Sequence, residues 1–213
     1  MLYHLIKKDF LIVKKYVLFM LAVSILIPLF MLWRVPDSAG PMGFILSVIF
    51  AIFMLFQFVS QKEFQYPKAA TLLCTTPYPR SLIVLSKYCF CLIIYALCCL
   101  IFFLETLVFP ELGIFHFEMP ALLFFVISVF IGIYLPVQYK FGYEKTKFVF
   151  IVIIMASPFL LPQLMKTTGG INFDSLSTVS PFVFCFCILL AGFALQMVSA
   201  FISIRIYNKA DLL

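Results

Sequence analysis

The residues able to do chemistry in this chain are few and widely spaced. Glu111, His116 and Glu118 share the stretch "PELGIFHFEM". One histidine and two carboxylates at that loose spacing could hold a metal or pass a proton, but they fit a solvated loop better. The cysteines are Cys74, Cys89, Cys91, Cys98, Cys99, Cys185 and Cys187, and none has zinc-site spacing. All but Cys74 lie in apolar stretches, where a reduced thiol behaves as a small buried hydrophobe. The sequence has no G-x-x-x-x-G-K-[ST], H-E-x-x-H or G-x-S-x-G. It therefore lacks a phosphate-cradling loop and the common metal- and serine-hydrolase sites, so no enzyme activity is expected of it. Glu105 is the ionisable residue closest to being inside an apolar segment. It follows Lys87 by 18 residues, or about 27 Å of helix, which places the two near opposite membrane faces. A membrane core so poor in charge argues against an ion-coupled pump. Gln57, Gln138 and Gln196 are candidates for polar contacts between helices.

What must position these residues is a membrane. Of the 213 residues, 65% are hydrophobic and 11% charged, against about 25% charged in soluble domains. The chain reads as an all-α polytopic membrane protein, a single transmembrane domain over 1–213. Six apolar stretches have spanning length: about Tyr16 to Trp33, Met42 to Val59, Ser81 to Phe109, Pro120 to Val137, Phe148 to Met165 and Pro181 to Ile204. In lipid each must satisfy its own backbone hydrogen bonds, so each is a helix. Thirteen of the 15 basic residues fall on one side of that layout; Arg34 and Lys166 fall on the other. The positive-inside rule then puts both termini in the cytoplasm. The net charge of +6 is accounted for by this topology and not by nucleic acid. The basic N-terminus leads into an apolar run too long for a signal peptide, so a multi-pass protein of the cell membrane is expected.

Residues 1–15, "MLYHLIKKDFLIVKK", read as an interfacial helix with Leu2, Leu5, Ile6 and Phe10 on one face. Two readings fit it: a positive-inside anchor on lipid, or an elbow helix that also touches a partner. The segment from Pro158 to Ser180 is broken by Pro158, Pro162 and "TTGGINFD". It fits a re-entrant element or an ordinary loop.

The longest cytoplasmic connection spans 60–80, "SQKEFQYPKAATLLCTTPYPR". Pro67 suits a helix start. Ala69, Leu72 and Leu73 form an apolar face, and Pro77 and Pro79 stop the helix. Ser81 is positioned to cap the next helix, and Lys87 to snorkel from it to the headgroups. So short a helix is marginal in water. It needs a surface, either membrane or another protein.

The stretch "LLCTTPYPRSLIVLSKY" resembles the pattern of ABC-2 family permeases, in which a leucine-rich helix and a proline step lead through a basic residue into the third span. Here the matching residues are Leu72, Leu73, Pro77, Arg80, Ile83, Val84, Ser86, Lys87 and Tyr88. "LIKKDFLIVKKY" and "LPVQYKFGYEK" resemble that family as well. Pro79 departs from it, at a position where many relatives carry a polar or small residue. The resemblance implies an ATP-driven exporter whose 60–80 loop is a coupling helix, with Glu63, Lys68, Leu72 and Leu73 touching a separate ATPase subunit. It also implies ATP and magnesium in that ATPase, no cofactor in this chain, and a second permease subunit, identical or different. Similar small permeases export amphipathic or antimicrobial peptides, such as phenol-soluble modulins. The competing expectation is the substrate-binding membrane subunit of a vitamin-type importer, for which these spans hold few polar groups.

Overall fold

Apolar segments of this length leave the backbone no partner but itself, and the chain folds accordingly into helices. The computed structural model describes residues 2–34, 39–66, 79–112, 117–148, 151–152 and 181–209, and among them there are no strands. The helices are α1 (Leu2–Ile12), α2 (Lys14–Arg34), α3 (Ala39–Gln65), α4 (Arg80–Val108), α5 (Glu118–Phe141) and α6 (Pro181–Lys209). A 3₁₀ turn, Pro110–Leu112, follows α4. Among the described residues, five helices, α2 to α6, are long and apolar enough to cross a membrane. Most of the stretch 148–165, expected as a further span, lies outside the described residues, as does all of 158–180.

The most buried span is α3, which forms the centre of the bundle. It runs antiparallel to α2: Tyr16 stacks on Phe58 at 4.0 Å near one end, and Gly43 meets Pro28 near the other. A Cβ on Gly43 would come within 2.7 Å of the Pro28 Cα, so only glycine lets the backbones close at that point. Pro28 is tolerated inside α2 because a transmembrane helix packed on its neighbour can absorb one missing donor.

The packing of α6 on α5 is parallel. Ser128 pairs with Gln196, Gly132 with Ser199, and Tyr139 with Tyr207, in ascending register on both helices. Ser199 donates to the Gly132 carbonyl at 2.7 Å. The Tyr88 hydroxyl on α4 bonds Ser199 at 2.6 Å and Ser203 at 3.0 Å. Gln196 donates to Ser128 at 3.1 Å, as its place in an apolar stretch suggested. Hydroxyls and small side chains thus form the seam, the usual means by which helices approach closely in lipid.

Two expectations change in detail. Ser81 does not cap α4. The helix begins at Arg80 behind Pro79, which has φ −64° and ψ 140° and makes no side-chain cap bond; the fixed proline φ sets the entry without a hydroxyl. Cys91 and Cys98 are buried, but Cys187 is exposed and Cys185 half-buried, because α6 turns most of its surface outward. Phe182, Phe186 and Phe201 share that outward face, as lipid-facing phenylalanines should.

Candidate functional site

At the basic end of the bundle three elements, α1, α3 and α4, bring charged side chains into one cluster. Along α1, residues at four-residue spacing fall on one face. Leu5 and Asp9 make that face, Val13 continues it just past the helix end, and all three are buried. Two positions are apolar and the middle one is a carboxylate, now fully removed from solvent. Lys87, two turns into α4, is also buried. Glu63, two residues before the end of α3, is half-buried.

The geometry closes on Lys87. Its Nζ donates to Asp9 Oδ1 at 3.0 Å and to Glu63 Oε1 at 2.6 Å. Lys8 donates to the same Glu63 oxygen at 3.1 Å and lies 3.2 Å from Asp9 Oδ1. Two cations and two anions alternate, so the cluster is neutral. Neutrality is what permits its burial, because each desolvated charge costs several kcal/mol if left alone. The second oxygen of Asp9, Oδ2, is buried and has no hydrogen-bond partner. Phe10 and Phe90, next to Asp9 and one turn after Lys87, pack edge to face at 4.8 Å and shield the pairs. Such shielding lowers the local dielectric and strengthens each ion pair.

Lys87 was expected to snorkel outward to headgroups. It turns inward instead, because two carboxylates are within reach and a paired ammonium needs no water. Glu63 was expected at an ATPase contact; it lies in this cluster with about a third of its side chain exposed. Lys68, Leu72 and Leu73, the other residues of that expected contact, lie outside the described residues, as does His116. The structure therefore brings Glu63 together with Lys8, Asp9 and Lys87, and the last three were not assigned to a site. For Asp9 there was a signal: it is the one acid in "LIKKDFLIVKK" and falls on the Leu5/Val13 stripe.

The position of the cluster gives it meaning. Glu63 and Lys87 stand on the two stems that flank residues 67–78. Arg80, at the start of α4, donates to the Asn208 carbonyl near the end of α6 at 3.4 Å. The cluster and this bond thus link the stems to α1 and α6. The four charges of the cluster pair with one another, and no group of His, Cys, Asp and Glu among the described residues is placed to hold a metal.

Residues 4–208 match a family model described as "ABC-2 family transporter protein". No curated protein and no solved structure matches the chain.

Proposed function

The chain belongs to the ABC-2 family of transporter membrane proteins, and from that premise we propose that it is the permease subunit of an ATP-driven exporter. The substrate is an amphipathic or antimicrobial peptide, or another hydrophobic molecule, moved out of the cell. Membership of the family implies an ABC ATPase as partner, and the sequence carries no phosphate-binding loop of its own. ATP and magnesium act in that separate subunit, and two permease subunits pair above two ATPases. Six crossings, with both termini and the 60–80 loop in the cytoplasm, complete the layout. The parallel course of α5 and α6 supports an even count, since the chain leaves α5 at one end of the bundle and enters α6 at the other.

The observation that carries the coupling part of this reading is the ion cluster on the stems of the loop. ATPase closure would push the segment that holds Lys68, Leu72 and Leu73, and the Asp9–Lys87–Glu63 pairs would move α1, α3 and α4 as one unit. Co-purification of the ATPase with the permease tests the contact. Leu72→Asp together with Leu73→Asp should abolish association; unchanged association would sink the docking assignment. Peptide export should persist when the proton gradient is dissipated and ATP is maintained, and its loss would count against ATP drive.

A further inference from the structure

The face of α4 that holds Lys87 continues through Cys91, Ile94, Cys98 and Phe102 to Glu105, all buried. Eighteen residues are five helical turns, so Lys87 and Glu105 lie on the same stripe about 27 Å apart. Glu105 is 7% exposed. Neither of its carboxylate oxygens has a hydrogen-bond partner. Among the described residues no Lys, Arg or His comes within ion-pair distance of it. Arg34, the described basic residue at that end of the bundle, holds its guanidinium over Trp33 at 5.4 Å. The chain does not tolerate buried acids in general: it meets Asp9 with two lysines.

We propose that Glu105 is a binding site for an ammonium group on an apolar stem, at the end of the bundle opposite the 67–78 segment. A carboxylate buried without a partner is expensive, and an ionisable group kept inside a membrane protein marks a ligand or ion pathway. The surroundings select among cations. One carboxylate supplies two oxygens, too few for calcium or magnesium, which take six or more oxygen ligands. Phe102 lies one turn earlier on the stripe and packs on Phe44 at 4.7 Å between ring centres. Cys98 and Ile94 below it are buried as well, so an alkyl stem would lie on the apolar surface of the helix end while the carboxylate accepts the ammonium protons. Leu104, Leu107 and Val108 around it are exposed, so Glu105 lies just beneath an open surface.

This site does not depend on the direction of transport. Its test uses the full chain in phosphatidylcholine nanodiscs, titrated with n-hexylammonium and, separately, with hexanol. Wild type should bind hexylammonium about tenfold more tightly than hexanol, a difference of about 1.4 kcal/mol. Glu105→Gln should remove that preference and Glu105→Asp should keep most of it. Equal affinity of wild type for the two probes overturns the site without recourse to any variant, as does a preference that survives Glu105→Gln. Adding phosphatidylethanolamine to the discs identifies the source of the amine: competition with hexylammonium assigns the site to a lipid headgroup, and no competition to a soluble ligand. Export lost in cells while the binding preference stands would count against the exporter reading alone.

Discussion

At its basic end α4 buries a lysine between two carboxylates; five turns on, along the same face, it buries a glutamate that no described residue answers. The helix, the burial and the apolar neighbours are similar at both places. What differs is the number of elements that converge. At the first, α1 and α3 each deliver a charge to Lys87. At the second, the neighbouring walls bring aromatic rings and methyl groups. A buried charge supplied with partners from other helices ties those helices together. One left alone in a fold is a demand that something outside the fold must meet. The same residue chemistry thus reads as scaffold in one place and as a site in the other.

Substitutions can break this contrast, and the largest effect should come from Lys87→Met. It leaves Asp9 and Glu63 to share Lys8, one buried anion in excess, and should cost about 3–5 kcal/mol. Thermal unfolding of the detergent-solubilised chain would report it; a loss under about 1 kcal/mol would mean that the cluster is not a tie. Adding Asp9→Leu to Lys87→Met should recover most of that loss, since the excess anion is gone and Glu63 keeps Lys8. A double-mutant cycle should give a coupling of about 1–3 kcal/mol between the two positions. At the other end the sign reverses. Glu105→Leu should raise stability by about 1–2 kcal/mol, because it removes a buried group with no partner; a clear destabilisation would show that the glutamate is structurally satisfied. The smallest change belongs to Lys8→Ala. Lys8 is partly exposed, so its pairs are screened and worth under about 1 kcal/mol.

Much of this was legible in the sequence, and the reason is the solvent. Lipid forces helices of near-fixed length, so the described spans follow their apolar runs within a few residues. The helix start is an instance where local chemistry had two answers. Ser81 and Pro79 both suit it, and the proline prevails because its φ is already set. The partner of Lys87 was not legible. Asp9 is 78 residues away, and no local pattern states which face of α4 receives α1. Of the amides expected to reach across helices, Gln196 bonds Ser128, whereas Gln138 leaves its buried Oε1 without a partner among the described residues. Tyr88, Ser199 and Ser203 were passed over, since hydroxyls near helix ends are common and the parallel course of α6 beside α5 has no signature in either helix. The expected docking residues Lys68, Leu72 and Leu73 lie outside the described structure, so their assignment rests on resemblance.

The long separation of Asp9 from Lys87 also sets an order of events during synthesis. The ribosome delivers Asp9 first, and its only early neighbours of opposite charge are the lysines beside it in α1. The buried position it finally occupies lacks the Lys87 ammonium until α4 is in the membrane. Until then α1 has every reason to stay at the water interface, and its docking becomes the step that reports α2, α3 and α4 as assembled. The seam between α5 and α6 closes only with the last helix. All four residues of the charged lock are thus synthesised before the last helix that the hydroxyl seam requires.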